Sequence, residues 1–374
     1  MVKKRIAVFG HKRIPSREGG VEIAVEELYS RMAGMGYEIT CYNRRGQHVA
    51  GSRFAAQNLQ ECRGIRLKRV WTLDKKGLAA VTSSISAAVC SAFSRADIVH
   101  IHAEGPAFMC WLPKLLGKKV VVTIHGLDWQ REKWKGGFGA KYIRAGEEMA
   151  VRFADEIIVL SRNVQVYFLS TYNRKTVYIP NGVNRPEKME PDQIVKIYGL
   201  QKDSYILFLG RLVPEKGVHY LIEAFRDLHT DKRLVIAGGS SDTDAYVERL
   251  KELADGDERI LFTGFVQGQL LRELYSNAYV YVLPSDVEGM PLSLLEAMSY
   301  GNCCVVSDIP ECAEVVEDKG YIFPRGNTKQ LAKCLQALCD DNLPVIITKR
   351  SAEEFICGKY DWDAVARRTL ELYQ

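Results

Sequence analysis

Short β-rich runs alternate with amphipathic helical segments along the whole of this chain, and the alternation starts over once near its middle. That rhythm is what a parallel sheet requires, because neighbouring parallel strands can be joined only by a crossover long enough to hold a helix. In the first half, strands are predicted at 6–10, 39–42, 65–71, 98–102, 119–125, 156–160 and 176–179. Helices are predicted between them near 21–35, 77–94, 106–117, 138–153 and 162–171. Asn181-Gly182 is a turn signal closing this half, and the polar stretch 184–203, with Pro186 and Pro191, reads as a linker carrying at most a short helix at 191–199. Tyr205-Ile-Leu-Phe-Leu-Gly210 then begins a second series. Its further strands are predicted at 233–237, 260–263, 278–283 and 303–307, and its helices near 217–229, 243–254, 267–276, 291–300, 327–340 and 346–357.

The pattern predicts an α/β chain of two doubly wound, Rossmann-like domains, 1–183 and 184–358, with an amphipathic helix in 359–374. Ligands of open α/β sheets bind beyond the C-terminal strand ends, so the two sheets are expected to face an interdomain cleft. No short-period repeat is present, which excludes a solenoid.

The 374 residues exceed one ordinary core, in keeping with two domains. No apolar run approaches the roughly 20 residues of a membrane span, and Met1-Val-Lys-Lys-Arg leads straight into a strand, so a cytoplasmic protein is expected. Ten cysteines are scattered without a CxxC pair, which argues against a disulfide framework or a zinc site. Charge is divided unequally: residues 1–183 carry 29 Lys+Arg against 15 Asp+Glu, and the remainder 22 against 31. A basic first half points to nucleic acid, an anionic membrane face or a phosphate-bearing substrate. No nucleic-acid-binding signature appears, so no nucleic-acid partner is expected.

The chemistry gathers at predicted strand ends. The apolar run 278–285 leads into Glu288-Gly-Met-Pro-Leu-Ser-Leu-Leu-Glu296, where Pro291 is expected in a first helical turn. Free N–H groups around Gly289, Met290 and Leu292 would meet an anion or sugar oxygens there. The carboxylates of Glu288 and Glu296, eight residues apart, can address different parts of one extended ligand. Gly210-Arg211-Leu-Val-Pro-Glu-Lys216-Gly217 places an Arg and a Lys five apart on a turn, able to bracket a diphosphate as a planar fork and a point charge.

Gly19-Gly20, at the first strand–helix junction, permits close backbone approach to a ligand, although no GxGxxG fingerprint accompanies it. A dinucleotide oxidoreductase is disfavoured on that ground. His125 ends a strand and could donate to a substrate or orient a reacting group; His100 and His102 share one face of their strand, as packed histidines. Asp242-Thr-Asp244 and Asp361-Trp-Asp363 mimic metal-binding acid pairs, but each opens a helix, where Asp serves as a cap. No metal-ligand spacing, nucleophile elbow or Walker loop is present.

Glu288-x7-Glu296, Gly-Arg211…Lys216-Gly, Pro-Asn181-Gly-Val and Gly264-Phe-Val together resemble glycosyltransferase family 4, the retaining GT-B enzymes, over nearly the whole chain. The resemblance implies two Rossmann-like domains with a C-terminal helix crossing back to the first, and hexosyl transfer from a nucleotide-diphosphate sugar, UDP-linked by expectation, to a glycan or lipid-linked acceptor. It implies that Arg211 and Lys216 hold the diphosphate and neutralise the departing nucleotide, that Glu296 binds ribose hydroxyls, and that Glu288 with the N–H groups of 289–292 binds the donor sugar. Gly19 and Gly20 would let the first domain's loop close on diphosphate and acceptor, His125 would lie near the reacting carbon, and Phe265 and Val266 would meet the base.

No cofactor or metal is implied, because the cations do the electrostatic work. The basic first domain fits work on lipid-linked glycans at a membrane face, in the making of a cell-surface polysaccharide. A GT-B-fold UDP-sugar epimerase and a catalytically silent nucleotide-sugar-binding scaffold are the alternatives.

Overall fold

The computed structural model of the chain describes residues 4–46, 59–73, 75, 77–134, 137–241 and 243–374; His48 and Asp242 fall outside them. The chain divides into two compact units, Met1–Gly182 with Trp362–Gln374, and Val183–Asp361.

The first unit is built on an eight-stranded sheet: β1 (Arg5–Phe9), β2 (Glu38–Arg44), β3 (Glu61–Cys62), β4 (Ile65–Val70), β5 (Ile98–His102), β6 (Lys119–Ile124), β7 (Glu156–Val159) and β8 (Val177–Tyr178), in the order β3-β4-β2-β1-β5-β6-β7-β8. All its pairings are parallel except β3 with β4. Helices cover both faces, so the central strands are buried throughout rather than on alternate residues; all five residues of β5, two of them histidines, are buried. The helices are α1 (Gly20–Gly34), α2 (Leu78–Ala92), α3 (Glu104–Ala107), α4 (Trp111–Leu115), α5 (Phe138–Phe153) and α6 (Arg162–Tyr172).

Helix α1 buries Ala24, Val25, Leu28, Tyr29 and Met32, one stripe at helical spacing. The single helix expected over 106–117 is instead the pair α3 and α4. Pro113 has no N–H to give the carbonyl four residues back, and residues 108–110 bond three residues back instead (Phe108 to Gly105, Met109 to Pro106, Cys110 to Ala107). One glycine is obligatory: Gly10, just past β1, has φ +107°, and a Cβ there would stand 2.0 Å from the His102 carbonyl oxygen. The ends of β1 and β5 can therefore lie side by side.

The second unit repeats the plan with β9 (Tyr205–Leu209), β10 (Arg233–Ala237), β11 (Ile260–Gly264), β12 (Val280–Leu283), β13 (Cys303–Ser307) and β14 (Tyr321–Phe323), all parallel, in the order β11-β10-β9-β12-β13-β14. Its helices are α7 (Gln193–Tyr198), α8 (Val218–Arg226), α9 (Asp244–Ala254), α10 (Gly268–Asn277), α11 (Leu292–Ser299), α12 (Pro310–Val316), α13 (Thr328–Asp340) and α14 (Leu343–Lys359). Helix α12 and strand β14 were not foreseen; seven and three residues are too few for a periodic pattern to stand out. The final helix α15 (Trp362–Glu371) belongs to the first unit, buries Trp362, Val365 and Ala366, and packs against α1.

Candidate active site

In the second unit the chemistry collects at the C-terminal ends of neighbouring strands. Strands β9 and β12 are hydrogen-bonded neighbours, so the loops that leave them, 210–217 and 284–291, lie together. Gly217 makes the approach close: its φ is +64°, and a Cβ would come 2.0 Å from the Pro284 carbonyl oxygen. The Asp286 N–H donates to the Glu215 carbonyl at 2.8 Å, fastening the two loops.

Lys216 Nζ stands 2.5 Å from Glu288 Oε1, and the side chains are only 12% and 9% exposed. The Ser285 hydroxyl donates to the same oxygen at 2.7 Å. The sequence reading gave Lys216 and Glu288 separate tasks, one on phosphate and one on sugar. The structure joins them in one half-buried ion pair, because a carboxylate at so sheltered a place needs a compensating cation. Ser285 is a further member that the sequence reading passed over.

Glu296 lies on α11, where the Tyr275 hydroxyl donates to Oε2 at 3.3 Å; Tyr275 stacks on Tyr300 with centroids 5.2 Å apart. Pro291 is not in the first helical turn as expected. It is the residue before Leu292, with extended backbone (φ −78°, ψ 101°), and its carbonyl accepts from the Leu294 and Leu295 N–H groups. The N–H groups at the start of α11 still precede any intrahelical partner. Gly289, Met290 and Leu292 are buried around that helix start, and Arg211 is half-buried on the loop that bears Lys216. Phe265 and Val266 follow β11, two strands from β9 in the same sheet, with Val266 buried. This edge thus brings together two cations, two carboxylates and a helix start, a combination able to hold an anionic, hydroxyl-rich molecule.

In the first unit the strand ends carry histidines. His102 Nδ1 is 2.8 Å from His125 Nε2, and His102 Nε2 is 2.8 Å from the Tyr29 hydroxyl. His100 meets Tyr373 Oη at 2.5 Å through Nδ1 and Thr123 Oγ1 at 2.7 Å through Nε2. The His100 and His102 rings stack with centroids 4.6 Å apart. Burial lowers His125 to about 4 and His100 to about 3, and holds His102 well below its usual value. All three are therefore neutral at pH 7.

Gly19 caps α1 with an extended backbone (φ −160°), and a Cβ on it would meet Glu22 Oε2 at 2.4 Å. The room at Gly19 is thus taken by a carboxylate, whose other oxygen accepts from the Lys12 N–H at 2.8 Å. Beside His125, the Asp128 N–H donates to Glu104 Oε2 at 2.7 Å. Burial, then the hydrogen bond with Glu147, pushes Glu104 far above the usual carboxyl range. Tyr167 and Tyr172 donate to Glu147 at 2.9 and 2.8 Å. This fully buried pair joins Glu104, just past the end of β5, to Glu147 in the middle of α5, a pairing that no local pattern encodes.

Of the two acid pairs that resembled metal sites, Asp242 lies outside the described residues and Asp361 directly precedes α15, where a cap was expected. Thr243 stands before α9 with Asp244 in its first turn, and Asp363 pairs with Arg31 at 2.7 Å. Among the described residues no group of three or more His, Cys, Asp or Glu could hold a metal ion, and no helix is long and apolar enough to cross a membrane.

Two family models match: glycosyltransferase family 4 over residues 18–185, and glycosyl transferases group 1 over residues 191–366. An uncharacterised glycosyltransferase of Methanocaldococcus jannaschii is 28% identical over 301 residues, 74% of this chain and 75% of its own length. An Escherichia coli enzyme, UDP-Gal:alpha-D-GlcNAc-diphosphoundecaprenol alpha-1,3-galactosyltransferase, is 28% identical over 281 residues, 70% of this chain and 71% of its own. Among solved structures, Anabaena HepE in complex with UDP-glucose superposes with a TM-score of 0.80 at 18% identity, covering 98% of each chain. The fold is GT-B, two Rossmann-like domains.

Proposed function

The chain belongs to the glycosyltransferases of family 4, and from that premise we propose that it moves a hexosyl unit from a UDP-sugar to a glycan or lipid-linked glycan acceptor, with retention and without metal. The observation that carries this reading is the Lys216–Glu288 pair beside Arg211 and the start of α11. Arg211 and Lys216 take the diphosphate, the second oxygen of Glu288 and the N–H groups of 289–292 take sugar hydroxyls, and Glu296 takes the ribose. Phe265 and Val266 flank the base. On the first unit, His125 meets the donor sugar and the Gly19-Gly20 loop meets diphosphate and acceptor.

In the transfer, the acceptor hydroxyl attacks the anomeric carbon on the face the diphosphate leaves. The bond from that carbon to the phosphate oxygen breaks, and the same oxygen takes the acceptor's proton. Arg211 and Lys216 stabilise the charge that gathers on the leaving diphosphate, which is the work a metal does elsewhere. Lys216 is held ready for this by Glu288, at no cost of reorganisation when the charge develops.

The test is a thermal-shift panel of UDP, GDP, ADP and their sugars, since a ligand that binds only the folded chain raises its apparent stability. UDP and a UDP-sugar are expected to stabilise; a response to GDP or ADP alone refutes the UDP assignment. UDP release that requires an acceptor separates transfer from epimerisation, and any turnover excludes a silent scaffold.

The proposed place of work is an anionic, inner membrane face, supported by α2. This helix buries Ser83, Ser84 and Ser91 but turns Leu78, Ile85, Val89 and Phe93 outward, with Phe93 74% exposed. Residues 75–96 and 105–127, which include α2 and its neighbour α4, contain six Lys or Arg and no Asp or Glu. Apolar insertion flanked by cations suits an anionic bilayer, at about 1 kcal/mol for each well-placed cation. Co-sedimentation with phosphatidylglycerol vesicles, reduced by Phe93→Asp, is expected; no binding at low salt refutes it.

A further inference from the structure

The C-terminal edge of the first sheet has two parts. At β5 and β6 stand the histidines; at the neighbouring ends of β4, β2 and β1 stand cations. Residues 10–17, 43–46 and 68–72, where those three strands end, contain seven Lys or Arg and no Asp or Glu. Counting Glu18, Glu22 and Asp74, which follow closely in the chain, cations still lead by seven to three. Hydrogen bonds pin the three segments together. The Arg44 N–H donates to the Lys12 carbonyl at 2.6 Å, the Arg13 guanidinium to the Gly46 carbonyl at 2.9 Å, and the Arg45 N–H to the Thr72 hydroxyl at 3.2 Å. Asn43 accepts from the Ile14 N–H at 3.2 Å and donates back to the Ile14 carbonyl at 2.8 Å. Opposite Asn43 in the sheet register lies Arg69. Arg17, Arg45 and Arg69 are exposed, and Lys12, Arg13 and Arg44 are half-buried. Like charges gathered on one edge repel one another, and a bound anion relieves that repulsion.

Open α/β sheets take their ligands beyond the C-terminal strand ends, and a guanidinium fork matches two oxygens of a phosphate. In the proposed reaction the donor's diphosphate goes to Arg211 and Lys216 of the second unit, so the cations of the first unit serve a different anion. We propose that the β4–β2–β1 corner binds a phosphate or diphosphate carried by the acceptor. The acceptor is then a phosphate-linked saccharide rather than a neutral glycan. The inward face of α2 meets this corner, with Ser83 and Ser84 lining a small cleft beside Gly10, His11 and Arg44. The outward face of the same helix carries Leu78, Ile85 and Val89, an apolar stripe that suits a lipid borne on the same phosphate. That the anion belongs to the acceptor rests on the transfer reading of the preceding subsection; that the corner takes a diphosphate does not.

Isothermal titration of inorganic pyrophosphate into the full chain saturated with UDP separates the corner from the donor site. One binding event is expected to survive saturation and to weaken as salt is raised. Arg44→Gln together with Arg45→Gln should weaken it about a hundredfold, about tenfold for each charge-assisted hydrogen bond lost. If that variant does not fold, Arg17→Gln with Arg45→Gln, two exposed side chains, decides in its place, with a loss of about tenfold or more. Pyrophosphate that binds only when UDP is absent, or equally well to the variants, overturns the proposal.

Phosphatidylglycerol vesicles distinguish an acceptor's phosphate from that of a bilayer. The corner variants are expected to keep vesicle binding; losing it while pyrophosphate still binds also overturns the proposal. A chain that takes pyrophosphate at the corner but no UDP refutes the UDP assignment and leaves the corner standing.

Discussion

The two units solve the same problem, presenting polar groups at the C-terminal edge of a parallel sheet, with opposite electrostatics. In the second unit the edge is charged, and Lys216 is compensated locally by Glu288, with Ser285 donating to the same oxygen. In the first unit the histidines at the edge are neutral, kept so by burial, with His102 bonded to His125 and Tyr29, and His100 to Tyr373 and Thr123. A charged site binds by attraction and tolerates small displacements, because a Coulomb interaction varies slowly with distance. A neutral one depends on direction, since a hydrogen bond fails when its angle or tautomer is wrong. The units therefore should respond differently to the same kind of damage.

The largest effect is expected from Lys216→Ala. It leaves Glu288 sheltered without a cation, so transfer should fall by about a hundredfold or more and stability by about 3 kcal/mol, the weight of breaking a buried pair from one side. Denaturant unfolding beside initial-rate kinetics measures both. The double variant Lys216→Met with Glu288→Leu should recover stability but not activity. If it recovers neither, the pair's charge is not what holds the two loops.

Next comes the pH response of the first unit. The folded-state values of His125 and His100, about 4 and about 3, lie below the ordinary 6.5. The unfolded chain therefore takes up protons first as pH falls. Stability from this source is complete above pH 6.5 and is lost as pH drops toward 4 and then 3, with His125 accounting for about 3 kcal/mol at most. Urea midpoints measured between pH 8 and 4 should decline over that window, and His125→Gln should flatten the upper part of it. A midpoint that rises on acidification contradicts the neutral account.

A smaller change is expected from Glu296→Gln: donor KM rises about tenfold while kcat holds, as for a charged hydrogen bond made equally in ground and transition states. On the proposed roles, in which Glu288 and Glu296 hold hydroxyls and move no protons, the pH–rate profile should show no carboxylate limb. A kcat fall matching the KM rise would move Glu296 into the chemistry. Least of all is expected from Asp363→Ala. Its carboxylate on α15 is 57% exposed and its bond to Arg31 is worth below about 1 kcal/mol, so thermal unfolding should scarcely shift.

The charged edge was legible in the sequence because each member announces itself: Arg211, Lys216, Glu288 and Glu296 are ionisable residues in Gly- and Pro-punctuated loops after apolar runs. What the sequence concealed is their pairing, since β9 and β12 are distant in the chain and adjacent in the sheet. The neutral edge was almost illegible. His125 stood out by its place at a strand end, but Tyr29 looks like one more apolar position of α1, and Tyr373 like one more of the terminal segment. A helix periodicity cannot say that a buried tyrosine's hydroxyl has a partner on another element. Pro291 shows the limit at shorter range, where one residue's extended backbone separated a cap from a first turn.

By itself the sequence determined the alternation of strands and helices, its restart at Tyr205 and the loops that carry charge, because these follow from local periodicity and from residues that fit only turns. Tertiary structure alone decided strand order, the Lys216–Glu288 pair and the partners of His100 and His102 on other elements. Those are contacts between residues tens to hundreds of positions apart, and no local propensity encodes which strand becomes whose neighbour.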